Sequence, residues 1–463
     1  MAGKQAFTLI SLFLLWILMG GCSHFGHYPV NEPLDKYAPG YGYISQNMVS
    51  PDKSEELLVI LAFSGGGTRA AAFSYGVLEE LRATQVTLDG QRRSLLDEVD
   101  AISAVSGGSF TAAYYGLFGD RIFEDFEGRF LKKNIEGALA ARVFLNPINW
   151  LRMASPYFDR TDLVAEYYDE HVFERKTFGD FLKRKGPIVL INATDMSKGT
   201  RLTFHQAFFD ALCSDLSKFP VARACAASSA VPGILAPITL RNYAGRCGYP
   251  VPPYFEKAST DYRQREIREN LMAVLDSNEK PYFHLIDGGV SDNLGLRAIE
   301  ESVSAVGDMW TTLKLSGREK VRKVVFVVVN AEKRADDRWD KIEYVPPFAA
   351  MLSSYSSIAI SRYNLETVAL LRESFERWTG EIRTGRCPPG QISTQPGSCG
   401  DITFYLVEVK FGNLEDPAER SYMDKLPTSF RLKDEQVDKL REAARTLLKK
   451  SEHFQRLLRD LER

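Results

Sequence analysis

An α/β fold, a three-layer α/β/α sandwich with a mostly parallel central sheet, is what this sequence predicts. Two strand-like runs carry the expectation. Leu57–Phe63 (LLVILAF) is apolar without alternation, as a strand covered on both faces must be, and it stops at Ser64-Gly65-Gly66-Gly67. Val99–Val105 is the second such run and stops at Ser106-Gly107-Gly108. Behind each glycine turn the pattern changes: Ala70, Phe73, Val77, Leu78 and Leu81 recur at helical spacing after the first, and small and aromatic residues follow the second. Strand, glycine turn and helix, twice over, is the local signature of a parallel sheet.

The elements follow in order. Residues 1–21 are read as a leader: Lys4, an apolar stretch over 6–18, then Gly20-Gly21 ahead of Cys22. The apolar stretch is shorter than the roughly 20 residues that a spanning helix needs. Charged, apolar and small residues in that order, ending in Gly-Gly-Cys, resemble a bacterial lipoprotein signal, which implies lipidation of Cys22 and membrane attachment through it. Ser23, in place of an aspartate, directs the expectation to the outer membrane of a bacterial cell envelope. Residues 22–53, polar and rich in Pro, Gly, Tyr and Asn, read as a tether. The core then runs over 54–332, with an aromatic and charged helical insertion near 123–185 and further strands at 187–192, Tyr282–Ile286 and 321–330 (VRKVVFVVVN). Residues 333–463 form an extension packed on the core, with a strand at 402–409 and a terminal helix over 433–463 that places Val437, Leu440, Leu447, Phe454, Leu457 and Leu461 on one face.

Composition narrows the function classes. Of 463 residues, 44% are hydrophobic and 25% charged, enough for a large buried core. The net charge of -2 supplies no field that would recruit nucleic acid. No His/Cys spacing resembles a metal site, and no cofactor is expected. Export permits disulfides: Cys387 and Cys399 bracket a loop rich in Pro, Gly and Ser that has little else to hold it, Cys225 reads as a small buried hydrophobe, and Cys213 with Cys247 is the remaining pairing.

The chemistry concentrates at three segments. Gly65-Gly66-Gly67-Thr68-Arg69, between strand and helix, aims backbone N–H groups at an anion, either a phosphate or a developing oxyanion. Alone it also fits a dinucleotide fingerprint, with Asp89 at the distance of a ribose contact. Ser106 stands on a strand-to-helix turn of nucleophile-elbow type, where Gly107 offers a further N–H donor. The alternative for Ser106 is a helix N-cap. A serine nucleophile needs a base. None of the six histidines (His24, His27, His171, His205, His284, His453) sits in a glycine-rich loop after a strand. Asp287 does, in the run Tyr282–Ile286 followed by Asp287-Gly288-Gly289, and burial there would raise its pKa towards that of a working base. Asp292 is a rival, read instead as the cap of a helix starting near Asn293.

The ordered set resembles the patatin-like phospholipase family: a glycine-rich loop ending in Arg69, a serine elbow of Ser106 with Gly107 and Gly108, and Asp287-Gly288-Gly289. Ala193-Thr194-Asp195 and the segment from Ala226 to Pro232-Gly233 resemble it further, so that the likeness spans roughly 57–330. Ser64 stands where the family commonly has aspartate, and Ala70 and Ala104 replace glycines. The resemblance implies a patatin-like sandwich and metal-free hydrolysis of phospholipid or other lipid esters by a Ser106–Asp287 dyad. It assigns Gly65, Gly66, Gly67 and Gly107 to the oxyanion site and Arg69 to charge or head-group stabilisation. The competing expectations are an inactive lipid-binding envelope protein and a dinucleotide-binding enzyme.

Overall fold

A computed structural model of the chain describes residues 31–462, apart from 49, 233–234, 256–260 and 335–339. The leader, Cys22 and Gly233 lie outside the described residues. Five strands form the parallel body of the sheet in the order β10-β9-β1-β4-β5: β1 (Leu57–Phe63), β4 (Val99–Val105), β5 (Ile188–Asp195), β9 (Lys323–Asn330) and β10 (Thr403–Lys410). A small hairpin, β2 (Gln85–Leu88) and β3 (Gln91–Ser94), stands apart from it as its own two-stranded sheet. Asp89, the candidate ribose contact, occupies the tip of this hairpin with φ 51°.

Both faces of the body are covered, which is why its strands read as unbroken apolar runs. In β1, Leu57, Val59, Leu61 and Phe63 enter one core while Ile60 and Ala62 enter the other; in β9, Val325, Val327 and Val329 alternate in the same way with Val324, Phe326 and Val328. The first face is covered by α1 (Gly67–Ala83), α2 (Gly107–Phe118), α6 (Asp434–Lys450) and α7 (Glu452–Leu461), the second by α4 (Arg297–Val306) and α5 (Phe348–Arg386). The second core centres on Trp378 of α5, fully buried against Phe326. Burying a side chain of that size contributes on the order of 3 kcal/mol.

Beyond β5 the sheet turns antiparallel. The strands β6 (Arg201–Phe204), β7 (Ile238–Arg241) and β8 (Tyr282–Ile286) all run against their partners. Their placement decides the site. On one side of β5, Ile191 to Thr194 pair with β6; on the other, Ile188 to Asn192 pair with β4 and Thr194 and Asp195 pair with β8. The strands β4 and β8 therefore share one lane along β5 and meet with their C-terminal ends facing. The next residues of the two strands are Ser106 and Asp287.

Three features depart from the linear reading. Residues 31–48, the latter part of the expected tether, lie against the core: Leu34 N–H donates to Cys213 O, and the buried Tyr43 receives the Val189 N–H on its hydroxyl at 2.6 Å. The sheet takes its edge strand β10 from beyond residue 332, so the core expected over 54–332 and the extension share one sheet. The terminal helical stretch is two helices, because Ser451 leaves helical geometry and accepts the Phe454 N–H on its side chain, starting α7. Cys213–Cys247 and Cys387–Cys399 are disulfides, and Cys225 is a buried thiol. Closing a loop the size of the second contributes about 3 kcal/mol. Among the described residues, no helix is long and apolar enough to cross a membrane.

Candidate active site

Ser106 is the single residue between β4 and α2, and its backbone is forced into φ 49°, ψ -121°. A non-glycine residue held there costs on the order of 1–3 kcal/mol, tolerated only where the surroundings over-determine it. Those surroundings are identifiable. The Ser106 N–H donates to Ser228 Oγ (2.8 Å), and the hydroxyl of Ser228, the last residue of α3 (Val221–Ser228), in turn donates to Asn192 O (2.6 Å). Gly107 and Gly108 let α2 start against the end of β1. A Cβ on Gly108 would stand 2.7 Å from Ser64 O, and one on Gly107 would overlap Gly67 O. Ala104, in place of a glycine, is simply a buried β4 residue paired with Phe63 and Ile191.

The Ser106 hydroxyl donates to Asp287 Oδ2 at 2.9 Å. The other carboxylate oxygen accepts the Gly289 N–H at 2.7 Å. Ser106 is 5% exposed and Asp287 9%. Burial pushes the Asp287 carboxyl up to about 6, against the opposing pull of the Gly289 N–H and the Ser106 hydroxyl. The Asp287 backbone is fixed as closely as the serine's. Its N–H donates to Ala230 O, its carbonyl accepts from Thr194 Oγ1 (2.9 Å), and the Gly288 N–H donates to Ser228 O. Gly288 has no room for a Cβ beside Asn192 O. Segments 193–195 and 226–232 thus act as the clamp on both residues. The sequence marked these segments, but not Ser228 or Thr194 as the atoms that do the work.

The glycine loop closes over the serine. Gly65 would bring a Cβ to 3.3 Å from the Ser106 Cβ, and Gly66 (φ 140°) and Gly67 (φ 61°) occupy conformations that favour glycine. Among the described residues, the N–H groups of Gly66, Gly67 and Gly107 donate to no protein acceptor. Two expectations are corrected here. Gly65 is not a free donor, because its N–H is committed to Asn293 O at 3.0 Å. Arg69 does not face a head group. It is 3% exposed and spends Nε on Ala331 O and Nη1 on Leu426 O, both at 2.9 Å. Its guanidinium staples the loop to the chain after β9 and to the C-terminal extension. Ser64 does related work, donating its N–H to Val329 O and accepting the Ala331 N–H on its hydroxyl. Ser429, which nothing in the sequence singled out, accepts the Thr68 N–H at 2.9 Å and lies 2.5 Å from where a Gly67 Cβ would be.

Other candidates lie elsewhere. Asp292 is buried, pushed up to about 6 by burial, and accepts the Arg297 N–H (2.8 Å) at the start of α4. It serves the first N–H of a helix that begins four residues later than expected and whose N-cap position is Leu296. Among the described residues no histidine hydrogen-bonds Ser106 or Asp287: His171 stacks on Tyr167, His284 meets Thr239, and burial pushes the His205 imidazole down to about 4. No group of three His, Cys, Asp or Glu side chains among the described residues is arranged to hold a metal.

The family model described as patatin-like phospholipase matches residues 61–299, just over half of the chain. The chain belongs to the patatin-like phospholipase family. No curated protein matched the sequence. Among solved structures, human GIVD cytosolic phospholipase A2 is similar at 15% identity and TM-score 0.45 over 90% of this chain and 64% of that one. The same human protein in complex with methyl gamma-linolenyl fluorophosphonate aligns at 15% identity and TM-score 0.43, over 90% and 62%. VipD from Legionella pneumophila aligns at 13% identity and TM-score 0.29, over 85% and 67%. The chain spans less than two thirds of the length of the human structures. The patatin-like match ends at residue 299, so Arg69's partners Ala331 and Leu426, and Ser429 on Thr68, all come from outside it.

Proposed function

We propose that this patatin-like chain hydrolyses acyl esters of lipids, of phospholipase A or lysophospholipase type, with Ser106 as nucleophile and Asp287 as its base. The observation that carries the reading is the 2.9 Å hydrogen bond from the hydroxyl of a backbone-strained serine to a buried carboxylate. With a pKa near 6, Asp287 is ionised at neutral pH yet basic enough to accept a proton. In the first half-reaction Asp287 takes the Ser106 proton as Oγ adds to the ester carbonyl. The oxyanion forms where the free N–H groups of Gly66, Gly67 and Gly107 are available, and the alcohol leaves with the proton from Asp287. In the second half, water gives its proton to Asp287 and its hydroxyl to the acyl carbon, and Ser106 recovers its proton as the fatty acid departs. Arg69 acts at one remove, by holding the loop.

The N-terminal residues support a location. A lipid on Cys22 would hold the enzyme at a bacterial envelope membrane, the outer one by the expectation from Ser23. The test of the function is turnover on a panel of phospholipids, lysophospholipids and short-chain esters, with Ser106→Ala as control. Release of fatty acid from at least one lipid, reduced at least a thousandfold in the variant, is expected. Release that survives the substitution would remove Ser106 from the chemistry, and a folded wild type inert on every member would favour the inactive lipid-binding alternative.

A further inference from the structure

Two exposed apolar surfaces border the edge of the sheet that carries Ser106 and Asp287. The first is the turn between the helices Ile135–Leu145 and Pro147–Met153, where Phe144, Leu145, Ile148, Trp150 and Leu151 are between 46% and 80% exposed. The base of this helix pair sits beside the glycine loop, and the turn lies about 12 Å along the first helix from it. Glu136 at the start of the pair accepts the Phe430 N–H (2.8 Å), one residue from Ser429 on Thr68, and the next helix begins where Thr161 donates to Ala236 O, just past the Ser228 clamp.

The second surface is the N-terminal part of α5. This helix runs against the strands. Arg386 donates to Val321 O ahead of β9, while Asn364 donates to Glu332 just past the end of β9. The 16 residues 348–363 therefore continue about 24 Å beyond the sheet, on the side where Ser106 stands. None of their described residues is buried, and Phe348, Met351, Tyr355 and Ile358 are exposed. Val290, three residues past Asp287, is also half exposed.

Charge distinguishes what these surfaces fit. Residues 144–151 and 348–361 contain no charged side chain, and the arginines flanking the first, Arg142 and Arg152, are paired with Glu170 and Glu166. Large exposed apolar patches mark interaction sites. Uncharged surfaces carrying Trp, Tyr, Phe, Leu and Ile suit the boundary of a bilayer, where a charge is costly and aromatic rings are favoured. We propose that the 144–151 turn and the 348–361 segment dock together on a neutral lipid surface and bring the Ser106 edge of the sheet onto it. The choice of lipid as occupant rests on the hydrolase reading above; the position of both surfaces on the site edge does not.

The experiment uses the full chain carrying Ser106→Ala, so that vesicles are not consumed, and Trp16→Phe, so that the apolar leader holds no tryptophan, with phosphatidylcholine vesicles whose acyl chains are brominated. Bromine quenches a tryptophan that enters the acyl region. Quenching that disappears when Trp150→Phe is added is expected, whatever anchoring the N-terminus contributes. In otherwise wild-type protein, Leu145→Glu with Tyr355→Glu is expected to lower phosphatidylcholine-vesicle turnover at least tenfold while leaving turnover of a dissolved short-chain ester unchanged. Quenching that does not depend on Trp150, equal vesicle turnover in the double variant, or a concentration-dependent dimer that this variant dissolves would each overturn the proposal. Trp150-dependent quenching in a protein that turns over neither substrate would keep the docking surface and remove the hydrolase reading instead.

Discussion

Asp287→Asn is expected to lower turnover by roughly 10²–10⁴, the usual worth of a positioned general base, while the fold survives. The reason lies in how the carboxylate's two oxygens are used. The Gly289 N–H needs an acceptor on Oδ1, so an asparagine settles with its amide oxygen there and its NH₂ towards Ser106. The packing is kept, but the serine then faces a donor that cannot take its proton. Circular dichroism and thermal unfolding close to wild type, with turnover lost, is the expected pair of results. The wild-type pH profile should carry the same signature. Only the ionised carboxylate accepts a proton, and burial has pushed its pKa up to about 6. Activity should therefore be flat above that pH and fall about tenfold per unit below it. The asparagine variant should lose that limb. Undiminished turnover in Asp287→Asn would move the base elsewhere.

The second large effect is expected from one methyl group. A Cβ on Gly107 would overlap Gly67 O and stand 2.7 Å from Gly67 N, and both neighbours are backbone. They cannot rotate away as a side chain would. The loop that offers the Gly66 and Gly67 N–H groups must retreat from the serine, and it is held from behind by Arg69 and by Ser429. Gly107→Ala should lower the rate by roughly 10²–10³, the effect of a displaced oxyanion donor. It should also destabilise the protein by about 1–3 kcal/mol through overpacking. Gly128→Ala is the control, since nothing lies within 4 Å of its Cβ position. It should leave both turnover and the unfolding midpoint near wild type. Full activity in Gly107→Ala would mean that the close approach of the two loops does not matter to catalysis.

Much of this site was legible in the sequence because its signals are local. A strand buried on both faces has to be apolar throughout, so β1, β4 and β9 announce themselves. A serine between such a strand and two glycines marks a forced turn, and the carboxylate of Asp287 followed by glycines marks another. What the residues could not reveal is how the two turns meet. The reading placed Asp287 at the end of a strand like the others, whereas β8 runs the opposite way and reaches Ser106 by sharing the β4 lane on β5. Strand direction depends on pairing partners far away in the chain, not on the five residues of the strand.

The contacts missed were those made through backbone atoms or at long range. Ser429 acts through its carbonyl, so no side-chain pattern advertises it. Arg69 carried a charge that invited an electrostatic role, and only the carbonyls of Ala331 and Leu426 reveal it as a staple. The tether reading does not hold from residue 31 to 48 because buried Asn31, Tyr43 and Met48 and the Leu34 N–H tie to the core a segment whose composition is that of a loop. The long helix α5 escaped notice for the opposite reason. None of the described residues over 348–363 is buried, so that stretch shows no apolar stripe turned to a core.

The measurement that tests the central claim most directly is covalent labelling by an alkyl fluorophosphonate, which reacts with activated serines, followed by peptide mapping. The account predicts one adduct per chain, on the peptide carrying Ser106, absent from Ser106→Ala and strongly slowed in Asp287→Asn. A folded wild-type protein that takes up no label, or that takes it up on another residue, would contradict it.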